Sequence, residues 1–434
     1  MNKIGLRKEE KAFERRVPVV PNHVAQLVKD HNIDVIVEPS DQRAFPDSAY
    51  TEVGASISSL KGEAPRVILG IKEMPIGFFE KDKVYVFFSH TIKGQKYNMD
   101  MLQDLMDSEG TLIDYERVTD EKGNRLIYFG NWAGMAGISD TLRVLGKLLE
   151  KKNISPNPFL GMKTTLDCNG LEELRKVFEG VAQRIKREGL PHSLTPFVVG
   201  FAGYGNVSRG AQEMFDILPH KTVNPADLPA LEPRDDIIYK CVFKEEDMVE
   251  PRNPDDQFEL QDYYKHGSAK YRGRFYQYAP YLTVLMNCIY WTKKYPRLLT
   301  REHIHEIWQR SDSRLLVVGD ISCDIRGAIE FTIRTTKPDK PAFTYLIAED
   351  EAKFEITEEG PIVMAIDNLP CELPRESSTS FSETLLQFVP ALAKADFTVD
   401  FEELKLPDEL KRAVIVYRGR LTEDYEYLQQ YLQK

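Results

Sequence analysis

Lysine, histidine and arginine side chains occur where apolar runs end in the N-terminal part of the sequence. Lys72 follows the run 68–71, His90 follows the run 84–88, and Arg16 lies earlier in the chain. An arginine can hold a carboxylate through two N–H groups, and a lysine and a histidine can exchange protons with an amine or carbonyl. Any one of them alone is more often a solvated loop residue, but the three together favour a reaction site.

A glycine-rich turn is the second candidate site. Gly203 and Gly205 follow the apolar run 197–202, where one glycine permits a tight turn and the next lets backbone N–H groups approach a pyrophosphate. Ser208 stands at the third glycine position of the usual pattern, and Gly210 follows two residues later. The turn predicts dinucleotide binding, although an ordinary strand-to-helix turn has the same pattern. The predicted cofactor-binding residues of the turn are Gly203, Gly205, Asn206, Val207 and Ser208.

The residue after the next predicted strand bears on the choice of cofactor. An acidic residue about 20 positions beyond the glycines binds the ribose 2′-hydroxyl of NAD and repels the 2′-phosphate of NADP. Asn224 occupies that place after the predicted strand 221–223, and Asp227 is the nearest carboxylate. A neutral amide favours NADP, and Asp227 keeps NAD as the alternative.

The elements around these residues predict an α/β protein. Short apolar runs alternate with helical patterns as far as residue 115, which indicates a parallel sheet covered on both faces. We expect a helix capped at Pro21-Asn22, and a second helix at 138–149 whose preceding small residues allow close packing. We also expect strands at 315–319 and 361–366 and a helical tail from Leu369, and we leave 221–262 unassigned apart from the predicted strand.

Composition excludes several classes of protein. The 434 residues carry a net charge of −11, which gives no reason to expect nucleic acid as a partner. The charged N-terminus does not resemble a signal peptide, and no apolar stretch is long enough to span a membrane. The five cysteines are far apart, so we expect reduced thiols and no metal site. These features predict a cytoplasmic protein without membrane partners.

Motifs spread along almost the whole chain resemble one family. The segments that carry the likeness are Arg15-Arg16-Val17-Pro18, Gly70-Ile71-Lys72-Glu73, Phe88-Ser89-His90-Thr91, Gly203-Tyr204-Gly205-Asn206-Val207-Ser208 and Ile366-Asp367-Asn368-Leu369-Pro370. They are similar to the lysine-ketoglutarate reductase half of the bifunctional aminoadipic semialdehyde synthases. More distantly, they are similar to lysine-forming saccharopine dehydrogenase and alanine dehydrogenase. The resemblance implies two Rossmann-like domains with parallel sheets, the C-terminal segment returning to the first: a substrate-binding domain of residues 1–137 and 369–434, and a dinucleotide-binding domain of residues 138–368.

The resemblance also implies an activity. Enzymes of this type join the ε-amine of lysine to the keto carbon of 2-oxoglutarate and reduce the imine with NAD(P)H to saccharopine, or run the reverse reaction. Carried over, Lys72 is the general base, His90 the acid/base on carbinolamine and water, and Arg16 a carboxylate ligand. The remaining implied roles are substrate contact by Gln95, cofactor contact by Arg125 and Asp320, and tuning of Lys72 by Glu14 and Glu116.

Two other functions remain open on the sequence. One is another amino acid dehydrogenase of the alanine dehydrogenase type, and the other is an inactive nucleotide-binding regulator. The presence of Arg16, Lys72 and His90 together disfavours the regulator. The bifunctional relatives carry a saccharopine-oxidising half, and since this chain stops at Lys434 we expect that activity in a separate enzyme.

Overall fold

The computed structural model describes residues 2–62 and 64–432. The strands, in chain order, are β1 (Lys3–Leu6), β2 (Asp34–Val37), β3 (Ser56–Ile57), β4 (Val67–Leu69), β5 (Val84–Phe87), β6 (Thr111–Asp114), β7 (Val198–Ala202), β8 (His220–Val223), β9 (Ile238–Phe243), β10 (Val249–Pro251), β11 (Tyr271–Gly273), β12 (Val284–Asn287), β13 (Val317–Asp320), β14 (Ala342–Leu346), β15 (Glu351–Lys353), β16 (Ile362–Met364), β17 (Val414–Tyr417) and β18 (Arg420–Leu421). The helices are α1 (Pro21–His31), α2 (Asp47–Thr51), α3 (Lys96–Asp107), α4 (Gly130–Lys151), α5 (Leu171–Glu188), α6 (Asn206–Phe215), α7 (Glu245–Met248), α8 (Leu260–His266), α9 (Arg301–Gln309), α10 (Pro374–Leu386), α11 (Val389–Lys394) and α12 (Asp408–Lys411). The α/β class predicted from the sequence is confirmed.

The chain divides into two units, each built on its own eight-stranded sheet. The first unit contains Met1–Phe129 and Pro374–Lys434, and the second contains Gly130–Leu373. The sequence led us to expect domain boundaries after residues 137 and 368. In the structure the chain passes between the units after Phe129 and after Leu373. The first boundary is earlier because all of α4 belongs to the second unit, and the second is later because the 3-10 turn Leu369–Glu372 packs against α4.

The sheet of the first unit has the strand order β18-β17-β6-β5-β4-β1-β2-β3. Strands β1 to β6 pair in parallel, and β17 adds to the β6 edge in the antiparallel sense. All four residues of β5 are buried, because helices cover both faces of a parallel sheet. The carboxyl ends of β4 and β5 are therefore neighbours at one edge of the sheet.

The sheet of the second unit has the strand order β15-β14-β16-β13-β12-β7-β9-β8. Strand β7 lies inside this sheet between β9 and β12, and all five of its residues are buried. It leads through the glycine turn into α6, as the strand–turn–helix pattern predicts. The strand predicted at 221–223 is β8, which begins one residue earlier at His220.

Helices α4 and α6 approach each other backbone to backbone. A Cβ built on Gly134 would lie 2.0 Å from the Val207 carbonyl oxygen, and one built on Gly210 would lie 2.0 Å from the Asn131 carbonyl oxygen. Since no side chain fits at either position, glycine is required on both helices. The close packing expected from the small residues of this region is present, and it begins earlier than the predicted helix because α4 starts at Gly130.

Two local expectations were wrong. Helix α1 begins at Pro21 with Val20 at the N-cap position, so Asn22 lies inside the helix and caps nothing; a proline in the first turn lacks one of the N–H groups that a cap would satisfy. The tail after Leu369 is not helical throughout, because the buried apolar strand β17 extends the first sheet.

Among the helices in the described residues, none combines the length and the apolar character needed to cross a membrane. No group of histidine, cysteine or acidic side chains suited to a metal ion occurs in the same part of the chain. The cytoplasmic location stays a prediction.

The close contact between α4 and α6 yields a stability prediction. Gly210→Ala should lower the free energy of unfolding by at least about 2 kcal/mol, because the new methyl group collides with backbone that cannot move aside. Gly180→Ala in α5 is the control, since a Cβ there meets nothing within 4 Å. It should raise stability by about 0.5–1 kcal/mol through helix propensity alone. Urea unfolding measures both variants, and equal effects would contradict the contact.

Candidate active site

Lys72 and His90 lie on adjacent loops at the carboxyl edge of the first sheet. Strands β4 and β5 pair in parallel, and beyond them the Phe88 N–H donates to the Ile71 carbonyl at 3.0 Å. The pairing therefore continues almost to the two polar residues themselves. The convergence of strand ends that the sequence predicts brings these two loops together.

The electrostatics around Lys72 favour its neutral form. Burial lowers the pKa of the Lys72 amine, and the charge of Arg16 lowers it further. Glu73 and Glu14 act in the opposite direction, but more weakly. An amine whose pKa is depressed in this way can accept a proton nearer neutral pH than a free lysine can.

Glu73 is the direct partner of His90, and the sequence analysis gave it no role. The Nδ1 atom of His90 lies 2.5 Å from Oε1 of Glu73. Burial raises the pKa of Glu73, but the hydrogen bond and charge of His90, with the charge of Lys72, bring it down to about 2. Since a carboxylate only accepts hydrogen bonds, Nδ1 carries the hydrogen and Nε2 is the nitrogen left for proton exchange. The position of Glu73 beside Lys72 in sequence was the available signal.

The loop that carries His90 has an unusual backbone conformation. His90 has φ +49°, in the left-handed region that non-glycine residues rarely adopt. The Asn98 amide donates to the carbonyl oxygens of Ser89 and His90 at 3.0 and 3.2 Å. Buried Asp114 accepts from the Ser89 N–H at 3.1 Å and from the Ser89 hydroxyl. These bonds fix the loop, and with it the direction of the imidazole.

Arg16 is buried and bound to Glu14 by two parallel hydrogen bonds. Its Nε donates to Oε1 of Glu14 at 2.7 Å, and its Nη2 donates to Oε2. The guanidinium also lies 4.2 Å from the centre of the Phe129 ring, a cation–π contact. The sequence-based role as a carboxylate ligand for substrate is therefore already taken in part by a carboxylate of the protein.

The returning C-terminal segment holds the loop that follows Arg16. The N–H groups of Val17 and Val20 donate to the hydroxyls of Ser378 and Ser382 on α10, each at 3.0 Å. On the same helix, Phe381 stacks on Phe129 with ring centres 4.7 Å apart. The support beneath Arg16 thus comes from residues far away in sequence.

Three other predicted site residues also belong to the first unit. Gln95 immediately precedes α3, and its side-chain oxygen accepts from the Lys93 N–H at 3.0 Å. Arg125 and Glu116, predicted for the cofactor and for Lys72, bind each other at 2.5 Å. The charge of Glu116 adds to burial in raising the pKa of Asp114 to about 6. Glu116 therefore affects Asp114, the residue that holds the His90 loop through Ser89.

The glycine turn of the second unit has the geometry that a dinucleotide needs. Gly203 has φ +93°, and a Cβ on Gly205 would meet nothing within 4 Å, so the backbone before α6 is open to a ligand. Ser208, in contrast, is fully buried. In dinucleotide-binding turns the third glycine allows close packing of the helix. Here Gly210 allows α6 to pack closely against α4.

Asn224 and Asp227 form a pair at the end of β8. The Asp227 carboxylate accepts from the Asn224 N–H at 3.0 Å and from its side-chain amide at 3.3 Å. A carboxylate therefore stands beside the amide at the place where a ribose is expected.

Asp320 ends β13, as predicted, but its carboxylate is enclosed by the protein. It accepts from the Asn287 amide at 2.8 Å, the Cys323 N–H at 3.2 Å and the Thr332 hydroxyl at 2.6 Å. Burial raises the pKa of this group to about 6, against the effect of these donors. Asp320 thus connects the end of β12 with the loop after β13.

The chain is similar to one protein family and to several enzymes, two of which are much longer than it. The family described as alanine dehydrogenase/PNT matches residues 5–136 by its N-terminal domain and residues 283–424 by its C-terminal domain. The alpha-aminoadipic semialdehyde synthase of Arabidopsis thaliana is 37% identical over 96% of this chain, which covers 40% of that protein. The mitochondrial synthase of Bos taurus is 33% identical over 98% of the chain, which covers 47% of it. The NAD(+), L-lysine-forming saccharopine dehydrogenase of Emericella nidulans is 29% identical, with 89% of this chain and 90% of that protein covered.

The chain spans less than half the length of the two synthases. Among solved structures, an L-alanine dehydrogenase matches 99% of this chain and 98% of its own with a TM-score of 0.61 at 17% identity. A transhydrogenase from Sinorhizobium meliloti matches 97% and 100% with a TM-score of 0.58 at 14% identity. These two likenesses show the fold. The sequence-based resemblance to the synthases and to alanine dehydrogenase is confirmed.

The Glu73–His90 pair predicts a pH-dependent contribution to stability. Glu73 has an ordinary pKa of 4.5 and a folded value of about 2, so its stabilisation is present above pH 4.5 and is lost as the pH falls toward 2. Glu73→Gln should therefore lower the free energy of unfolding by about 1–3 kcal/mol at neutral pH. The difference from the wild type should shrink in acid.

Chemical denaturation at a series of pH values measures this difference. Glu121→Gln, which removes a carboxylate from an exposed turn, should change stability by less than about 0.5 kcal/mol. A Glu73→Gln deficit that stayed constant from neutral pH into acid would contradict the assigned pair.

Proposed function

The chain belongs to the alanine dehydrogenase/PNT family, and within it we propose that this protein joins the ε-amine of lysine to 2-oxoglutarate and reduces the imine to saccharopine, or catalyses the reverse. The observation that carries this proposal is the depressed pKa of Lys72 next to the Glu73–His90 pair at one sheet edge. Saccharopine chemistry needs both a proton acceptor for an amine and a proton donor for a leaving hydroxyl. The names of the similar synthases and saccharopine dehydrogenases support the substrate class.

Lys72 is the proton acceptor of this proposal. The ε-amine of the substrate must lose its proton before nitrogen can attack the keto carbon. A neutral Lys72 amine takes that proton, and in the reverse direction it deprotonates the secondary amine of saccharopine. Burial and the Arg16 charge favour this proton transfer by lowering the pKa of Lys72.

His90 acts on the carbinolamine that the addition produces. Its Nε2 donates a proton to the hydroxyl group, which leaves as water while the nitrogen lone pair forms the C=N bond. Glu73 holds Nδ1–H, so the ring keeps one orientation while Nε2 alternates between its two protonation states. The fixed backbone around His90 serves the same purpose.

Arg16 and Gln95 complete the proposed substrate site. Arg16 supplies a fixed positive charge for a substrate carboxylate, although Glu14 already occupies two of its N–H groups. Glu14 thereby offsets the effect of Arg16 on Lys72 and tunes the base. Gln95, at the start of α3, contacts substrate as an uncharged donor.

A nicotinamide cofactor fits the glycine turn, since Gly205 is open and Gly203 adopts a conformation that favours glycine. When bound, this cofactor supplies or accepts the hydride. Gly203, Gly205 and the N–H groups of Asn206, Val207 and Ser208 would hold the pyrophosphate, and Asn224 would lie at the ribose. We propose NADP, with NAD as the alternative that Asp227 supports. Arg125 and Asp320 are proposed as neighbours of the cofactor, Asp320 through the loop after β13 that it holds.

The activity test uses the purified chain with lysine and 2-oxoglutarate, following oxidation of NADPH and of NADH and identifying saccharopine by mass spectrometry. Lys72→Met should lower turnover by about 100- to 10,000-fold, because a positioned base is lost. Its cofactor affinity should stay nearly constant. Lys29→Met, which changes an exposed lysine of α1, is the matched control and should keep turnover.

The same assay decides between the proposed function and its alternatives. Turnover with ammonia and pyruvate in place of lysine and 2-oxoglutarate would make the protein a dehydrogenase of the alanine type. Cofactor binding without turnover on any amine and keto acid would make it a regulator. Near-normal saccharopine formation by Lys72→Met would overturn the assigned base.

Cofactor preference is predicted to follow the charge at the end of β8. Asp227→Asn should raise the ratio of NADP to NAD preference in kcat/KM, because a carboxylate that repels the 2′-phosphate is removed. Asn224→Asp should lower the same ratio by adding a charge beside it. If both variants keep the wild-type ratio, the ribose is recognised elsewhere.

A further inference from the structure

Glu9 is a buried carboxylate that the proposed mechanism does not use. It lies three residues after β1, with 7% of its surface exposed. Oε1 accepts from the Ile71 N–H at 2.7 Å, and Oε2 accepts from the Lys72 N–H at 3.0 Å. Both oxygens are therefore bound to consecutive amides of the turn that carries the proposed base.

The turn after β4 is held on two sides. Glu9 binds its N–H groups, and the Ile71 carbonyl accepts from the Phe88 N–H at 3.0 Å. Gly70 in the same turn is closely surrounded, because a Cβ there would lie 2.9 Å from the Met74 methyl carbon and 3.5 Å from Oε1 of Glu9. The Cα of Lys72 is thus fixed relative to β5, whose continuation carries His90.

Glu9 occupies an environment in which a carboxylate is disfavoured without these donors. Burial, and next the charge of Glu14, raise its pKa to about 7, while the Ile71 N–H, Arg7 and the Lys72 N–H act in the opposite direction. The strongest charges acting on the Lys72 amine are those of Arg16, Glu73, Glu14 and Lys11. Glu9 therefore acts on Lys72 mainly through its backbone.

We propose that Glu9 is a positioning residue for Lys72, which anchors the turn after β4 and so keeps the Lys72 amine in its buried place beside Arg16. The proposal rests on the proposed function in so far as Lys72 is the base of that reaction. It assigns to Glu9 a role that neither its sequence position nor any contact with substrate would indicate. Without the anchor, the turn loosens and the amine gains access to water.

The test is Glu9→Gln, which keeps the size of the side chain but offers one acceptor oxygen and places an NH₂ group against a backbone N–H. Lys72 is labelled with acetic anhydride in the free protein over a series of pH values, and the extent of labelling is read by peptide mass spectrometry. The midpoint for Lys72 should rise by about one pH unit or more, because the desolvation that depresses it is relieved. In the activity assay, kcat should fall about tenfold or more, and the low-pH limb of the profile should move to higher pH.

Glu10→Gln is the matched control. Glu10 is the next residue and is half exposed, pairing with Arg7 at 3.1 Å. Removing its charge should leave the Lys72 labelling midpoint and kcat as in the wild type. A folded Glu9→Gln protein with an unchanged midpoint and pH profile would overturn the proposal, even if its stability fell, because loss of stability alone indicates a structural role.

Glu9→Asp covers the case in which Glu9→Gln does not fold. The shorter side chain keeps the charge but cannot reach both amides, so the midpoint should again rise, and an unchanged midpoint overturns the proposal. The labelling needs no substrate and therefore stands apart from the proposed function. Absence of saccharopine formation by the wild type would refute that function alone, while normal formation with an unaffected midpoint would refute the role of Glu9 alone.

Discussion

The positive charge of Arg16 repels a proton on the Lys72 amine, and the arrangement of the candidate site in the first unit depends on this repulsion. The charge of Arg16 depresses the pKa of Lys72 because Arg16 is buried and Lys72 is half-buried, whereas in open water the same pair would be screened. A buried guanidinium itself needs compensation, which Glu14 and the face of Phe129 provide. Glu14 and Glu73 therefore offset part of the positive charge near Lys72 without cancelling the lowering of its pKa.

The loops that carry Arg16 and His90 are held by residues from distant parts of the chain. The serines of α10 bind the loop after Arg16, and Phe381 of the same helix packs on Phe129. Asp114, at the end of β6, holds the loop of His90 through Ser89. Lys72 and His90 each follow a strand end and are held by hydrogen bonds to Glu9 and Glu73, which limits the number of positions that they can take.

Lys72 and His90 could be found in the sequence because apolar strands are readable and their carboxyl ends meet at one edge. Glu73 and Glu9 were not assigned, because their partners depend on loop conformation: the left-handed backbone at His90, and a turn that presents two N–H groups to Glu9. For Glu73 the only signal in the sequence was its position beside Lys72. The glycine turn was recognised, but the packing role of Gly210 depends on α4, which lies far away in sequence. The run that forms β17 is as apolar as the other strands. It was missed because the surrounding tail has helical patterns.

The return of the chain to the first sheet has a consequence for biosynthesis. A ribosome completes residues 130–373 of the second unit before β17 leaves the exit tunnel, so this contiguous unit can fold while the first is still incomplete. Until then the parallel strands before it present the β6 edge with unpaired N–H and C=O groups, the kind of surface that recruits other strands. The segment that closes that edge is translated after the second unit, so nascent chains that stall or terminate before β17 expose a template prone to aggregation.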